Sequence, residues 1–169
     1  MEYVIAVVLG VIFTEALGYA VHRLLHSKKI AWLTELHSIH HQHIYPSGKL
    51  RSESYISPPQ GKILGIGAEW ALPISVITVP VVAAVFALGA PIGAIATFVV
   101  IALAWTVLMV SYMHDAFHIK RIWLIRSTWF KRTRRLHDIH HLDTNNNFGI
   151  CFFGLDKLFG TFRGKWRDA

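Results

Sequence analysis

Three long apolar segments divide this chain, and the segments around them are polar and rich in histidine. The apolar segments cover residues 3–21, 63–88 and 92–113, and each is close to or above the roughly 20 residues that a membrane-crossing helix needs. Only Gly-Ala-Pro at 89–91 separates the second from the third, so these two should form an antiparallel hairpin. The pattern predicts an all-α integral membrane protein: three transmembrane helices with a helical cap, in one domain over residues 1–169.

Composition and charge support a membrane protein with a defined orientation. Hydrophobic residues make up 53% of the 169 residues and charged ones 16%, which is too apolar for an ordinary soluble domain. The net charge of +7 does not indicate nucleic-acid binding, because all 17 Lys and Arg residues lie in segments 22–62 and 114–169. The positive-inside rule makes that side cytoplasmic, in the endoplasmic reticulum or a bacterial inner membrane. The single cysteine, Cys151, excludes an intrachain disulfide and a thiolate metal cluster.

Ten of the eleven histidines fall into four short motifs on the predicted cytoplasmic side. HRLLH and HDAFH place histidines four residues apart where the first and third spans end. HSIHH and HDIHH repeat the spacing H-x-x-H-H about a hundred residues apart. On a helix, positions i, i+3 and i+4 share a face, so each motif presents a row of imidazole nitrogens. The motif histidines are His22, His26, His37, His40, His41, His114, His118, His137, His140 and His141.

The number of imidazoles indicates the kind of metal site. One isolated pair of histidines is a weak signal, but four motifs of two matched kinds on one side of a membrane indicate metal binding. Ten imidazoles exceed the four ligands of a tetrahedral zinc. Shared between two ions they give five nitrogens each and leave one octahedral position for oxygen or water, which favours a redox-active pair such as iron. Haem bound between spans is the nearest alternative, although it uses only two axial ligands.

The four motifs, in this order around a membrane hairpin, resemble those of the fatty acid hydroxylase and sterol desaturase superfamily. The segment NNNFGICFFGLDKLFGTF, residues 145–162, resembles that family's ending, in which Asn-Phe-Gly follows the last motif and D-x-L-F-G-T closes the domain. The resemblance extends from Glu15 to Phe162. It implies a non-haem di-iron oxygenase that uses dioxygen and two external electrons on a lipid, with the ten motif histidines as ligands. Zinc could replace iron in a purified sample.

Chain length and one carboxylate also connect the chain with the related carotene hydroxylases. Glu15 lies seven residues before the first motif, as a carboxylate does in those proteins. They usually have four residues between the histidines of the first and third motifs, where this chain has three. The spacing therefore favours a fatty acyl, sphingolipid or sterol-type substrate, and carotenoid ring hydroxylation stays an alternative.

Four polar residues near the motifs are candidates to support the ligands. Glu15 lies two helical turns before His22 and is expected to accept the distal N–H of a ligand, since ionisable groups in apolar spans are functional by default. Asp115 and Asp138 each follow a motif histidine, and a salt bridge with a nearby Lys or Arg is the alternative for both. The resemblance makes Asn147 a candidate for holding a metal-bound water, and a turn residue is the alternative.

Other polar residues receive expectations of their own. His43, three residues after His40, is expected to be a donor behind the ligands or an interface histidine. Glu69, beside Trp70, suits an anchor at the membrane interface. The basic cluster at positions 131, 132, 134 and 135 suits a solvated stripe facing lipid headgroups, or a docking site for an acidic electron carrier.

The sequence thus predicts an enzyme that hydroxylates a C–H bond of a membrane lipid. Such a bond offers nothing to acid–base catalysis, so a metal must carry the difficult step. No flavin or dinucleotide motif is present, so the electrons should come from a separate haem or iron–sulfur carrier with its reductase. A non-catalytic metal-binding protein is the alternative from another class; a transporter should have more ionisable donors within its spans than Glu15 and Glu69. The substrate and the choice between alcohol and alkene stay open.

Overall fold

A computed structural model describes residues 1–48, 66–120 and 122–165. The described residues are largely helical and form no β-sheet. They contain three apolar helices long enough to cross a membrane, Glu2–His26, Ala68–Ala87 and Ile92–Phe117, which confirms the predicted all-α fold with three spans. Of the predicted second span, residues 63–65 lie outside the described part. The helix begins at Ala68, because Gly67 before it has an extended backbone (φ −73°, ψ 161°).

The chain alternates spans with shorter helices. α1 (Glu2–His26) is the first span, and α2 (Ala31–Ile39) continues into a π-helical turn, His40–Ile44. α3 (Ala68–Ala87) and α4 (Ile92–Thr106) form the predicted hairpin, in which Gly89 adopts a positive φ of 82° and Pro91 precedes α4. The third span continues through a π-helical segment into α5, and the cap contains a short 3₁₀ turn, α6 and α7. These elements are Val107–Met113, His114–Phe117 (α5), Trp123–Arg126, Thr128–Leu142 (α6) and Gly154–Leu158 (α7).

α1 and α4 pack closely because a small residue lies at their contact. A Cβ atom on Gly10 would lie 3.0 Å from the Ile101 side chain and 3.2 Å from the Phe98 carbonyl oxygen. Small residues let membrane helices approach each other in this way. Elsewhere the spans expose apolar side chains such as Val76 and Val100, which are 64% and 62% exposed. These surfaces suit contact with lipid chains.

The cap is docked onto the end of the third span by an arginine. Arg134 of α6 is buried, its Nε donates to the Phe117 carbonyl oxygen at 2.7 Å, and its guanidinium also donates to the carbonyl of Ile119. Its guanidinium carbon lies 5.5 Å from the centre of the Phe130 ring. The expectation that the residue at position 134 belongs to a solvated basic stripe is therefore wrong, because helix α6 turns this side chain towards the core. The side chains of Lys131, Arg132 and Arg135 are exposed.

Candidate metal centre

The ten motif histidines meet at the end of the helical bundle and form two separate groups of five. Within each group, one nitrogen of every imidazole lies within 4.8 Å of those of the other four. The first group is His22, His26, His37, His41 and His140. The second group is His40, His114, His118, His137 and His141. The fold thus brings together all the residues expected to bind metal and divides them equally.

The Nε2 atoms of the first group converge on one another. His37 Nε2 lies 3.1 Å from His26 Nε2 and 3.2 Å from His41 Nε2. His140 Nε2 lies 3.0 Å from His26 Nε2. In a neutral imidazole, each ring nitrogen offers either one hydrogen or one lone pair, so His37 cannot form ordinary hydrogen bonds with both neighbours. A shared cation would satisfy all these nitrogens at once.

The second group has the same spacing. His137 Nε2 lies 3.0 Å from His118 Nε2 and 3.1 Å from His141 Nε2. Nitrogens about 2.1 Å from one metal ion stand about 3.0 Å apart at octahedral right angles and about 3.4 Å apart at tetrahedral angles. The distances in both groups therefore fit a metal ion with more than four ligands better than a tetrahedral one.

Two buried ring nitrogens support this fit. Within the described residues, Nε2 of His22 and Nε2 of His40 have no hydrogen-bond partner. Leaving a buried polar atom unpaired costs about 1–3 kcal/mol. One of these atoms belongs to each group. A metal ion in each group would give both atoms a partner, so the residues present fit two ions.

Burial keeps the imidazoles in the form that binds metal. It lowers the pKa of His37, His40 and His137 well below the ordinary value, and the neighbouring imidazoles act in the same direction. For His140, burial outweighs the hydrogen bond to the Asn146 carbonyl and lowers the pKa to about 4. Neutral imidazoles have a free lone pair at neutral pH, so protons compete weakly with a metal ion here.

Helical geometry explains how each H-x-x-H-H motif serves both groups. Successive residues of an α-helix are rotated by about 100°, so positions i and i+4 differ by only about 40°. His137 and His141 of α6 accordingly lie in the second group, whereas His140 points into the first. The earlier motif is divided in the opposite sense, since His37 and His41 lie in the first group and His40 in the second.

Backbone carbonyl oxygens orient three of the imidazoles. Nδ1 of His22 lies 2.7 Å from the Phe148 carbonyl, and Nδ1 of His140 lies 2.7 Å from that of Asn146. Nδ1 of His141 lies 2.9 Å from the carbonyl of Tyr45. Since a carbonyl can only accept, Nδ1 must carry the hydrogen in each case, and Nε2 keeps its lone pair for a metal.

The side-chain amide of Asn147 holds a turn, which is the alternative given for this residue. Asn147 is fully buried with a positive φ of 56°. Its amide nitrogen donates to the carbonyls of Leu136 and Arg163 at 3.0 and 2.9 Å, and its oxygen accepts from the Arg163 N–H at 2.8 Å. The amide therefore secures the turn that presents the carbonyls on either side of it to His140 and His22, as a turn residue would.

The hydrogen bond expected between Glu15 and a ligand imidazole is also absent from the described structure. Glu15 instead accepts from the indole N–H of Trp105 on the neighbouring span, at 2.7 Å. The acceptor of the His22 Nδ1–H is the carbonyl of Phe148, and not the carboxylate that was expected. Glu15 therefore links two spans below the histidines.

The remaining polar candidates lie at the edge of the centre. Asp138 is half-buried, which raises its pKa to about 6, and the positive charge of Arg134 opposes that rise. Asp115 is half-buried, and its carbonyl accepts the His118 backbone N–H at 3.0 Å. His43 is exposed and lies outside both groups.

Trp70 is buried against the rings of histidines from both groups. It is 3% exposed, and its ring lies 5.2 Å from that of His22, 5.9 Å from that of His37 and 6.4 Å from that of His114. His22 and His37 belong to the first group and His114 to the second. Trp70 therefore packs beneath both groups, on the side of the membrane spans.

Sequence reasoning assigned no role to Asp156, which holds the same turn as Asn147. The carboxylate is fully buried and accepts from the N–H groups of Phe148 and Gly149, both at 2.8 Å, and from the Thr161 hydroxyl at 2.7 Å. The signal was present in the D-x-L-F-G-T ending, which contains both Asp156 and Thr161. The backbone carbonyls that orient His22, His140 and His141 could not be identified from the sequence, because every residue has a backbone carbonyl.

Known proteins resemble this chain over most of its length. The profile of the family described as fatty acid hydroxylase matches residues 7–161. Methylsterol monooxygenase 1 of Gallus gallus is 28% identical over 152 residues, which cover 89% of this chain and 43% of that protein. The chain thus spans less than half the length of this relative. No solved structure matches the chain.

Proposed function

The chain belongs to the fatty acid hydroxylase family, and on this basis we propose that it is a membrane oxidoreductase that hydroxylates a lipid C–H bond with dioxygen at two iron ions. The observation that carries the proposal is the division of ten buried histidines into two groups of five with converging nitrogens. A structural role would not require ten buried imidazoles to converge in this way, with Nε2 of His22 and of His40 left without a hydrogen-bond partner among the described residues.

Iron suits this donor set better than the alternatives considered. Both groups consist of imidazoles alone, without a thiolate, and their spacing favours more than four ligands. Five nitrogens leave an octahedral ion one position for dioxygen or water, which a structural zinc does not need. A porphyrin would separate its two axial histidines, whereas the Nε2 atoms of each group lie about 3 Å apart.

The chain's own residues bind and orient the ions and exclude water. Bound iron would supply the oxidising chemistry that side chains cannot provide. The imidazoles bind as neutral ligands, and the carbonyls of Phe148, Asn146 and Tyr45 hold three of them in the tautomer that exposes Nε2. Burial of the histidines keeps bulk water from the centre.

A lipid substrate agrees with what lies beneath the histidines. A cavity of about 320 Å³ opens between the three spans and is lined mainly by apolar side chains, including Leu17, Ile66 and Ile74. Trp70, buried beside these residues, contacts histidines of both groups. A hydrocarbon chain in the bilayer can therefore come close to the centre without passing through water.

We place the centre on the cytoplasmic side of the endoplasmic reticulum or a bacterial inner membrane, within one domain. The support is the basic charge, which lies with the histidines at one end of the spans. Electrons would come from a separate haem or iron–sulfur carrier with its reductase. The exposed Lys131, Arg132 and Arg135 lie on α6, the helix that carries three of the histidines, and could dock an acidic carrier there.

Lipid profiling of an expression host tests the proposal. Cells producing the wild-type chain should contain an oxygenated lipid that is missing with His140→Ala and present with His43→Ala, which removes an exposed histidine outside both groups. The hosts should include one that makes carotenoids, since a hydroxylated carotenoid would indicate the related branch. An iron-loaded wild-type protein that forms no new product with reductant supplied would favour non-catalytic metal binding.

A further inference from the structure

One aromatic residue of the tail packs against the first histidine group. The ring centre of Phe148 lies 5.9 Å from that of His22, 6.0 Å from that of His26 and 5.7 Å from that of His140. All three histidines belong to the first group, and the Phe148 carbonyl also accepts the Nδ1–H of His22. The Phe148 ring thus packs against three of the five imidazoles, and its backbone carbonyl orients one of them.

Tyr45 has the corresponding place beside the second group. Its ring stacks on that of His118, with centres 4.2 Å apart and planes 9° from parallel, and it meets the ring of His40 at 5.2 Å. Its carbonyl accepts the Nδ1–H of His141 at 2.9 Å. These three histidines are all members of the second group. Tyr45 itself is 2% exposed.

Different parts of the chain hold the two aromatic residues in place. Phe148 lies in the turn that the Asp156 carboxylate and the Thr161 hydroxyl secure. Tyr45 ends the π-helical turn after α2, where its N–H donates to the His40 carbonyl at 2.8 Å. Although the rings of His41 and His141 bring the two groups into contact, 4.0 Å apart, the ring contacts described above join Phe148 to the first group and Tyr45 to the second. A change at either aromatic residue should therefore act first on its own group.

We propose that Phe148 and Tyr45 are the positioning residues of two separately supported metal sites, so that either site can be weakened alone. The inference rests on the proposed function, since it presumes that each group binds an ion. It goes further because it assigns a different supporting residue to each of the two ions. Partners that hydrogen-bond metal ligands typically contribute about ten- to hundredfold in metal affinity. Loss of either aromatic ring leaves the backbone carbonyl in place, so it should weaken one ion by up to about that factor.

Iron binding in matched variants tests this proposal. Purified wild type, Phe148→Leu and Tyr45→Leu are loaded with ⁵⁷Fe(II) and titrated with a chelator, and Mössbauer spectra follow each ion. His26→Ala and His118→Ala, each lacking a ligand of one group, show which signal belongs to which site. Phe148→Leu should lose the first-group ion up to about ten- to hundredfold more readily and keep the second, and Tyr45→Leu should do the reverse. Tyr45→Phe, which keeps the stacked ring, should restore the affinity.

Two further variants guard against misfolding of the tail. Thr161→Val removes a hydroxyl that donates to Asp156 and should weaken the first-group ion in the same direction as Phe148→Leu, while Thr161→Ser should restore it. Equal loss of both ions in each leucine variant, or no loss in either, would overturn the inference even if wild type binds two irons. A wild-type protein that binds fewer than two ions would refute the metal centre itself, and the inference with it.

Discussion

Replacement of Arg134 by methionine should show how strongly α6 is docked onto the third span. Arg134 is buried and donates to two carbonyls, those of Phe117 and Ile119, beyond its own helix. Arg135 beside it is exposed. Methionine keeps an unbranched apolar side chain at either position, so the two substitutions differ mainly in the hydrogen bonds that they remove.

The expected loss follows from these two hydrogen bonds. A hydrogen bond to a charged group contributes about 1.5–3 kcal/mol, so Arg134→Met should cost about 3–6 kcal/mol of unfolding free energy. Arg135→Met should change it by less than about 0.5 kcal/mol, as surface substitutions usually do. At about 2–4 °C per kcal/mol for a chain of this size, Arg134→Met should lower the Tm by about 6–24 °C.

Thermal unfolding in detergent, followed by circular dichroism at 222 nm, measures both variants. Because α6 carries His137 and His141 of the second group and His140 of the first, Arg134→Met should in addition release metal from both groups faster than Arg135→Met. Equal Tm shifts for the two variants would refute the docking argument. Such a result would mean that the side chain at position 134 is solvated, as the basic run in the sequence suggests.

Three further predictions concern the centre and its surroundings. The pKa of His140 is about 4 in the folded protein and 6.5 in an ordinary imidazole, so the unfolded chain binds more protons than the folded chain between these pH values. Metal-free protein should therefore have its full stability above pH 6.5 and lose stability as the pH falls towards 4. A Tm that does not change with pH over this range would contradict the prediction. Gly149→Ala should weaken iron binding by the first group, because a Cβ at this position would collide with the Phe152 carbonyl and the Asp156 carboxylate. The iron content of this variant is compared with that of Gly154→Ala, where a Cβ has no atom within 4 Å. Trp105→Phe should lower the unfolding free energy by about 1–3 kcal/mol, because it removes the indole N–H that donates to Glu15. The double variant Trp105→Phe with Glu15→Leu should recover part of that loss, and thermal unfolding measures both.

The spans and the convergence of the ten motif histidines could be predicted because both depend on local periodicity. An apolar run of about 20 residues has few alternatives to a transmembrane helix, and histidines four residues apart must lie on one face of it. The first span ends at His26 and the third at Phe117, so both helices continue past the apolar run to carry the histidines. The number of donors then implied two ions before any contact was known.

The residues behind the ligands could not be predicted, because their partners are distant in sequence. Glu15 has the position expected of a ligand's acceptor, yet the indole of Trp105, 90 residues away, takes its oxygen. The family resemblance made Asn147 a candidate for holding a metal-bound water, and its amide is hydrogen-bonded to the backbone of Leu136 and Arg163. In each case the residue type was informative and its partner was set by tertiary packing.

The repeated H-x-x-H-H motif is best explained by the need to join two sites with few helices. On a helix, residue i+4 lies about 40° to one side of residue i and residue i+3 about 60° to the other, so a single motif can give two imidazoles to one group and one to a neighbouring group. α2 with its π-helical turn gives two to the first group and one to the second, and α6 does the reverse. The pairs on the two spans, His22 with His26 and His114 with His118, then complete five imidazoles in each group. Neither copy of the motif could be removed without taking imidazoles from both groups, and this explains why one small chain carries the motif twice.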